Sequence, residues 1–268
     1  AGAIGASRFE RIDAVLALGP DPVVRSATGN AVLALGELYP WFATLPAVQA
    51  LRDDVSALQG TIGLDLTRLA GPLKAPERLD VAAALTPRQV RLRSPHLPAV
   101  LTISTGSIRV EGPDADFQGV RIAMQDARST LSGSLHAYAS PTRAFDVSIT
   151  QARIGPRSLE WAEDELGLAP GARVQAPVAL ERARLRWPAS APWRLEVDAA
   201  ATFPSGTHAD VGFVWMPGRM QIRRLAVKDP DSDLVATLDW ETEHAGVTFR
   251  GYLSAKSVGR MLVAPPAA

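Results

Sequence analysis

Apolar and polar side chains alternate with a period of two along most of this chain, the mark of strands that bury one face. In TIGLDLT, Ile62, Leu64 and Leu66 share one side, and Thr61, Asp65 and Thr67 take the other. Val81, Ala83 and Leu85 line up in the same way, followed by Val90 and Leu92 against Gln89, Arg91 and Arg93. Leu101 and Ile103 come next, then Ile108 and Val110 against Ser107, Arg109 and Glu111. Val120, Ile122 and Met124 oppose Arg121 and Gln125. The second half repeats the habit. Phe145, Val147 and Ile149 oppose Asp146, Ser148 and Thr150, and Trp193, Leu195 and Val197 oppose Arg194, Glu196 and Asp198. Val211, Phe213 and Trp215 form one side of the next run, and Leu234, Leu238 and Trp240 one side of another. Val247, Phe249 and Leu253 close the series. Turn-forming clusters such as GPDAD, SPTR, MPGR and KDPDSD separate the runs. The pattern therefore predicts an all-β protein of roughly fifteen antiparallel strands.

Three stretches have helical spacing instead. LPAVQALRDDVSAL places Val48, Leu51, Val55 and Leu58 on one stripe. SLEWAEDELG offers Ser158 as a cap, Leu159, Ala162 and Leu166 as a stripe, and Gly167 as a stop. SAKSVGRML has Ser254 as a cap, with Val258, Met261 and Leu262 on one face. Residues 1–58 thus read as N-terminal strands and an amphipathic helix. Residues 59–268 read as a repeating β region with short helices near 158–166 and 254–262, the whole forming one continuous unit.

A short phrase restarts the strands: an apolar residue, any residue, glycine, any residue, then an apolar one. It occurs at Leu58–Gly60–Ile62, Leu131–Gly133–Leu135 and Phe249–Gly251–Leu253. The glycine leaves room for the bulge or bend that keeps a long sheet curled. A second bulge is expected in MQIRRLAV, where Met220 and Ile222 change parity with Leu225 and Val227 across Arg223 and Arg224.

So many one-faced strands need a cover that three short helices cannot supply. The solutions are a sandwich, a closed barrel, or a curled open sheet whose concave face binds something apolar. Several inner faces are small and smooth, such as Val81, Ala83 and Leu85, or Val174, Ala176 and Val178, and these lean toward a groove. Tyr39, Trp41 and Phe42 form either an aromatic lid at the sheet's end or an interfacial anchor. The absence of a basic cluster beside them favours the lid.

Composition narrows the chemistry. Across 268 residues, Lys+Arg and Asp+Glu each number 28, so no basic field exists to hold nucleic acid. There is no cysteine, which removes disulfides and thiol catalysis. Apolar runs are far too short to span a bilayer, and the opening residues show no signal peptide, so the chain reads as a segment of something longer. His96, His136, His208 and His244 are scattered, and no nucleophile elbow or phosphate loop is present. Asp229, Asp231 and Asp233 have the spacing that opens a calcium loop, but Leu234 stands where glycine is needed and Trp240 where the bidentate glutamate belongs. They read as a hairpin turn. The carboxylates of EWAEDEL read as a solvated helix face. The expectation is a non-enzyme with no catalytic residue, metal or cofactor.

Longer phrases carry a resemblance. VSALQG running into TIGLDLTRLAGPLKAPERLDVAAAL, the unit SPHLPAVLTISTGSIRVEG, and MQIRRLAVKDPDSDLVATLDW followed by FRGYLSAK resemble the AsmA-like superfamily of Gram-negative envelope proteins, of the TamB and YhdP type. Met220, Ile222, Leu225, Val227, Asp229, Ser232 and Leu234 approximate one recurrent phrase of that family, and the likeness runs from about Asn30 to Leu262. It implies a repeating β-groove, a half-pipe whose apolar interior shelters phospholipid acyl chains passing between inner and outer membranes. Its expected lining is Ile62, Leu64, Leu66, Val81, Leu85, Val90, Leu92, Leu101, Ile103, Ile108, Val110, Val120, Ile122 and Met124, then Phe145, Val147, Ile149, Leu195, Val197, Val211, Phe213, Leu234 and Leu238. The implied setting is the periplasm, with an inner-membrane tether outside this segment and other envelope proteins as partners. The alternative is a structural or protein-binding β domain with a dry, sandwich-like core, such as an assembly scaffold.

Overall fold

The computed structural model describes residues 2–42, 55–75, 78–137, 143–165, 173–188, 194–241 and 244–263, without the side chains of Trp41 and Phe42. It is 69% strand and 11% helix. The strands are β1 (Gly2–Ile4), β2 (Ser7–Ala17), β3 (Val23–Ala34), β4 (Ala57–Pro72), β5 (Asp80–Arg93), β6 (Leu101–Glu111), β7 (Asp114–Met124) and β8 (Ala127–His136). They continue with β9 (Ala144–Ile154), β10 (Val178–Trp187), β11 (Leu195–Thr202), β12 (His208–Met216), β13 (Arg219–Asp229), β14 (Ser232–Glu241) and β15 (Ala245–Tyr252). Among the described residues three helices follow odd-numbered strands: α1 (Leu35–Phe42), α2 (Pro156–Glu165) and α3 (Ala255–Met261). All fifteen strands lie in chain order in one antiparallel sheet that, among the described residues, does not close. The fold is therefore the all-β antiparallel sheet that the alternation predicts. It divides into two compact units, Ala1–Met124 with Leu131–Arg143, and Gln125–Thr130 with Ala144–Ala268.

In the first unit, bulges keep one face apolar. Each of three hairpins places an extra residue of φ near +50° to +60° opposite a glycine: Arg11 opposite Gly29, Gln89 opposite Gly60, and Gly119 opposite Gly106. Gly60 has φ +98°, and a Cβ there would lie 2.3 Å from the Gln89 carbonyl oxygen, so no other residue fits without moving backbone. The extra residue shifts parity by one. Phe117 before it and Ile122 after it consequently stand on the same face, as do Leu85 and Leu92 on β5.

In the second unit the expected bulge is present: the β13 register slips between Ile222 and Leu225, at Arg223 and Arg224. Another lies at Glu181, between Leu180 and Arg182. Gly251, in the last of the three restarting phrases, has φ +96° and passes so close to Asp233 that a Cβ would fall 2.0 Å from its carbonyl oxygen.

Several expectations need correction. The helix expected to end at Leu58 does not reach it, because Ala57 and Leu58 already belong to β4, where Leu58 pairs with Leu92. Val48 and Leu51 lie outside the described residues. The helix that is described here, α1, starts at Leu35. Ala34 and Leu35 are both buried, and two adjacent buried positions mark the hand-over from strand β3 to a helix. Ser158 is not the cap of α2, since the helix begins at Pro156. Its cap comes from the turn after β7, where Asp126 accepts hydrogen bonds from the N–H groups of Arg157 and Ser158, each at 3.0 Å, and from the Ser158 hydroxyl at 2.8 Å. Leu166 and Gly167 lie outside the described residues. Ser254 does cap α3, accepting from the Ser257 N–H at 3.1 Å. The strand expected through Val174 and Ala176 starts only at Val178. Val174 instead makes a lone antiparallel bridge with Leu262.

Candidate functional site

Cross-strand register turns the alternation into rows that run across the sheet, with paired side chains on one face. In the first unit the row Phe9–Ala31–Leu64–Leu85–Ile108–Phe117 crosses six strands and is apolar throughout. Leu58–Leu92–Leu101 and Val90–Ile103–Ile122 extend the same face. Leu66, Val81, Val110, Val120 and Met124 also lie on it. The row one residue away points to the other side and reads Glu10–Asn30–Asp65–Ala84–Arg109–Asp116.

The second unit does the same over seven strands. Val147–Leu185–Val197–Phe213–Ile222–Leu238–Val247 is one apolar row, and Ile149–Ala183–Ala199–Val211–Leu225–Ala236–Phe249 is the next. A third, Ala152–Leu180–Ala201–Ala209–Val227–Leu234–Gly251, completes the face toward α3. At the other end stand Phe145 and Trp187, their rings 5.8 Å apart, and the row Leu195–Trp215–Met220–Trp240. Trp193 lies outside the described residues. The opposite face carries ion pairs: Arg184 grips Asp146, Arg186 meets Asp198 at 3.0 Å, Arg182 meets Asp210 at 3.0 Å, and Arg219 meets Asp239 at 2.6 Å.

All the lining residues expected from the sequence thus fall on the apolar face of their own unit. Val90, Val120 and Leu234 are buried, and the others are half-buried. Among the described residues no second sheet lies over this face, and its side chains are only partly shielded from water. Toward β15 even that fades, with Val247 62% and Phe249 73% exposed. Leu185, Ile222, Leu225 and Phe117 belong to the face but were missed. Short alanines or a bulge interrupt the alternation around each, and following parity across Gly119 or Arg223 would have found Phe117 and Ile222.

The polar candidates have structural work. Asp229, whose side chain is 1% exposed, accepts hydrogen bonds from the Ser257 hydroxyl (2.9 Å), the Thr207 hydroxyl (2.9 Å) and the Asp231 N–H (2.8 Å), and Arg260 lies 3.5 Å away. Burial works against its charge, but these donors outweigh it and hold its carboxyl below the ordinary range. Asp231 pairs with Arg260 at 2.7 Å and with Lys256. The aspartate turn is the clasp that fastens α3, and among the described residues no group of three or more His, Asp or Glu is arranged to hold a metal. Glu163 corrects the expectation of a wholly solvated helix face. It is 5% exposed and accepts the Val174 N–H at 2.6 Å. All four histidines are exposed. The Tyr39 hydroxyl donates to the Val55 carbonyl, tying α1 to the approach to β4. No helix among the described residues is long and apolar enough to cross a membrane. The chain matches no family model, no curated protein and no solved structure.

Proposed function

We propose that the apolar face of each unit shelters phospholipid acyl chains, and that the chain is a segment of an AsmA-like envelope protein that passes lipid between the inner and outer membranes through the periplasm. The observation that carries this reading is the set of apolar rows, unbroken over six strands in one unit and seven in the other, mostly half-buried and, among the described residues, with no second sheet over them. A sheltered methylene gains about 0.8 kcal/mol, so a dozen of them gain on the order of 10 kcal/mol. A lining of Val, Leu, Ile and Ala supplies that gain without hydrogen bonds that would trap a moving lipid, and the charged rows of the opposite face keep the sheet in water.

Native mass spectrometry with lipid extraction tests the reading. The purified chain is expected to carry phospholipid or to take it up from vesicles. Leu85→Asp and Phe213→Asp, each in the middle of a row, are expected to abolish binding in their own unit while circular dichroism stays unchanged. A chain that takes up no phospholipid, and unfolds with either substitution, would point to a dry packed core instead.

A further inference from the structure

The second unit is not symmetric from one end of its strands to the other. Toward α3, its last apolar row holds only alanine, leucine, valine and glycine, and the aspartate clasp closes that end. Toward the other end the residues become aromatic. Trp187, Trp215 and Trp240, three of the six tryptophans in the chain, stand there with Phe145. Trp187 and Leu195 each lie one residue beyond the Arg186–Glu196 pair, which places Trp187 in line with the row that contains Trp215 and Trp240.

Met220 is paired with Trp215 on one side and Trp240 on the other, and these two indoles are 44% and 53% exposed. With Gly218, Arg219 and Glu241 they line a cavity of about 320 Å³. Arg219 is engaged by Asp239 at 2.6 Å and by Glu241 at 3.1 Å. Arg194 is engaged by Glu196 at 2.7 Å. This end therefore sets indoles on the apolar side directly against neutralised charge pairs on the other. An indole, with a broad apolar body and one N–H, is the side chain suited to the boundary between hydrocarbon and water.

We propose that this tryptophan rim seats the glycerol and headgroup region of a phospholipid, whose acyl chains lie inward on the Val211 and Phe213 rows. The proposal rests on the lipid-sheltering reading and deepens it by giving the bound lipid an orientation. Because the guanidinium of Arg219 is held by two carboxylates, the rim suits a zwitterionic headgroup rather than one that needs a free cation. Among the described residues the first unit has no such end: its corresponding row is Ala14–Ala27–Leu69–Val81.

Depth-dependent fluorescence quenching tests this in the full chain. The probes are vesicles of phosphatidylcholine brominated either near the carboxyl end or near the methyl end of the acyl chain. The rim signal is the emission lost in the Trp215→Phe/Trp240→Phe variant, a change that keeps an aromatic ring at each position. An inward reporter is made by adding Val211→Trp to that variant. Val211 lies four residues from Trp215, about 13 Å along the strand. The expected result is that carboxyl-end bromine quenches the rim signal more than methyl-end bromine does, with the order reversed at the inward reporter. Equal or reversed quenching at the rim overturns the orientation. So does quenching of the inward reporter while the rim indoles stay silent, and that outcome leaves the sheltering role standing. Silence at both positions, with no lipid bound, overturns the orientation and the sheltering role together.

Discussion

In the first unit a bulge sits in each of three hairpins, at Arg11 and Gly29, Gln89 and Gly60, and Gly119 and Gly106, while in the second unit rows from Val147 to Val247 and from Ile149 to Phe249 cross seven strands. Both units end with one apolar and one polar face, and both use bulges to do so. The first unit corrects the parity of strands whose apolar residues change step, and accepts positive φ to do so. The second also uses bulges, at Glu181 and at Arg223, while its rows cross seven strands and its polar face carries the denser set of Arg–Asp and Arg–Glu pairs. One-sidedness is thus a property of register, and two sequences with different local habits reach it.

The sharpest way to break the comparison is Gly60→Val. A β-branched side chain at φ +98°, with its Cβ against the Gln89 carbonyl, should cost more than about 3 kcal/mol. Hydrogen exchange is expected to rise across β4 to β7 and to stay unchanged across β10 to β14. Equal loosening in both units would show that they do not fold as separate entities.

A smaller effect is expected in the second unit from acid. Burial opposes the charge on Asp126 as it does on Asp229, and hydrogen bonds from the Ser158 side chain and the Arg157 and Ser158 backbone again win. Both carboxyls titrate lower in the folded chain than in the unfolded one. Their stabilisation is therefore complete above the ordinary aspartate range and is lost as pH falls through the lowered folded values. Amides of α2 and α3 should lose protection in that window before those of β4 to β7, and Asp229→Ala should expose α3 at neutral pH. Unchanged α3 exchange in that variant would remove the clasp.

The smallest effect belongs to the ion pairs. Arg182 is 74% exposed beside Asp210, so Arg182→Ala should change the second unit's stability by less than about 1 kcal/mol, read from a denaturation midpoint. A larger loss would mean that the polar face supports the rows behind it.

Much of this architecture is legible in the sequence, because period-two alternation reports which side a residue faces. The strand count, the faces of Ile62 to Leu66 or Phe145 to Ile149, the bulge at Arg223 and the Ser254 cap follow from neighbours a few residues apart. What covers an apolar face is not written in its alternation, so sandwich and open sheet look alike at that level. The cap on α2 was illegible because Asp126 lies far from Pro156 in the chain and is delivered by a turn. Glu163 reads as one more charge on a charged helix until the Val174 N–H is seen beside it. The tryptophan rim has the same character, since Trp187, Trp215 and Trp240 are separated by whole hairpins and only register aligns them.

Strands that pair solely with their sequence neighbours also make length an adjustable quantity. Removing or duplicating one hairpin closes the ladder again without rewiring any other pair, and folding can proceed from local pairings at little entropic expense. Such an edit must come in twos. A single added strand would reverse the direction of everything after it and carry α3 and its clasp to the end where the tryptophans now stand. Gene duplication acting on this sheet is thus expected to conserve an even count of strands between its helices, a parity rule imposed by geometry alone.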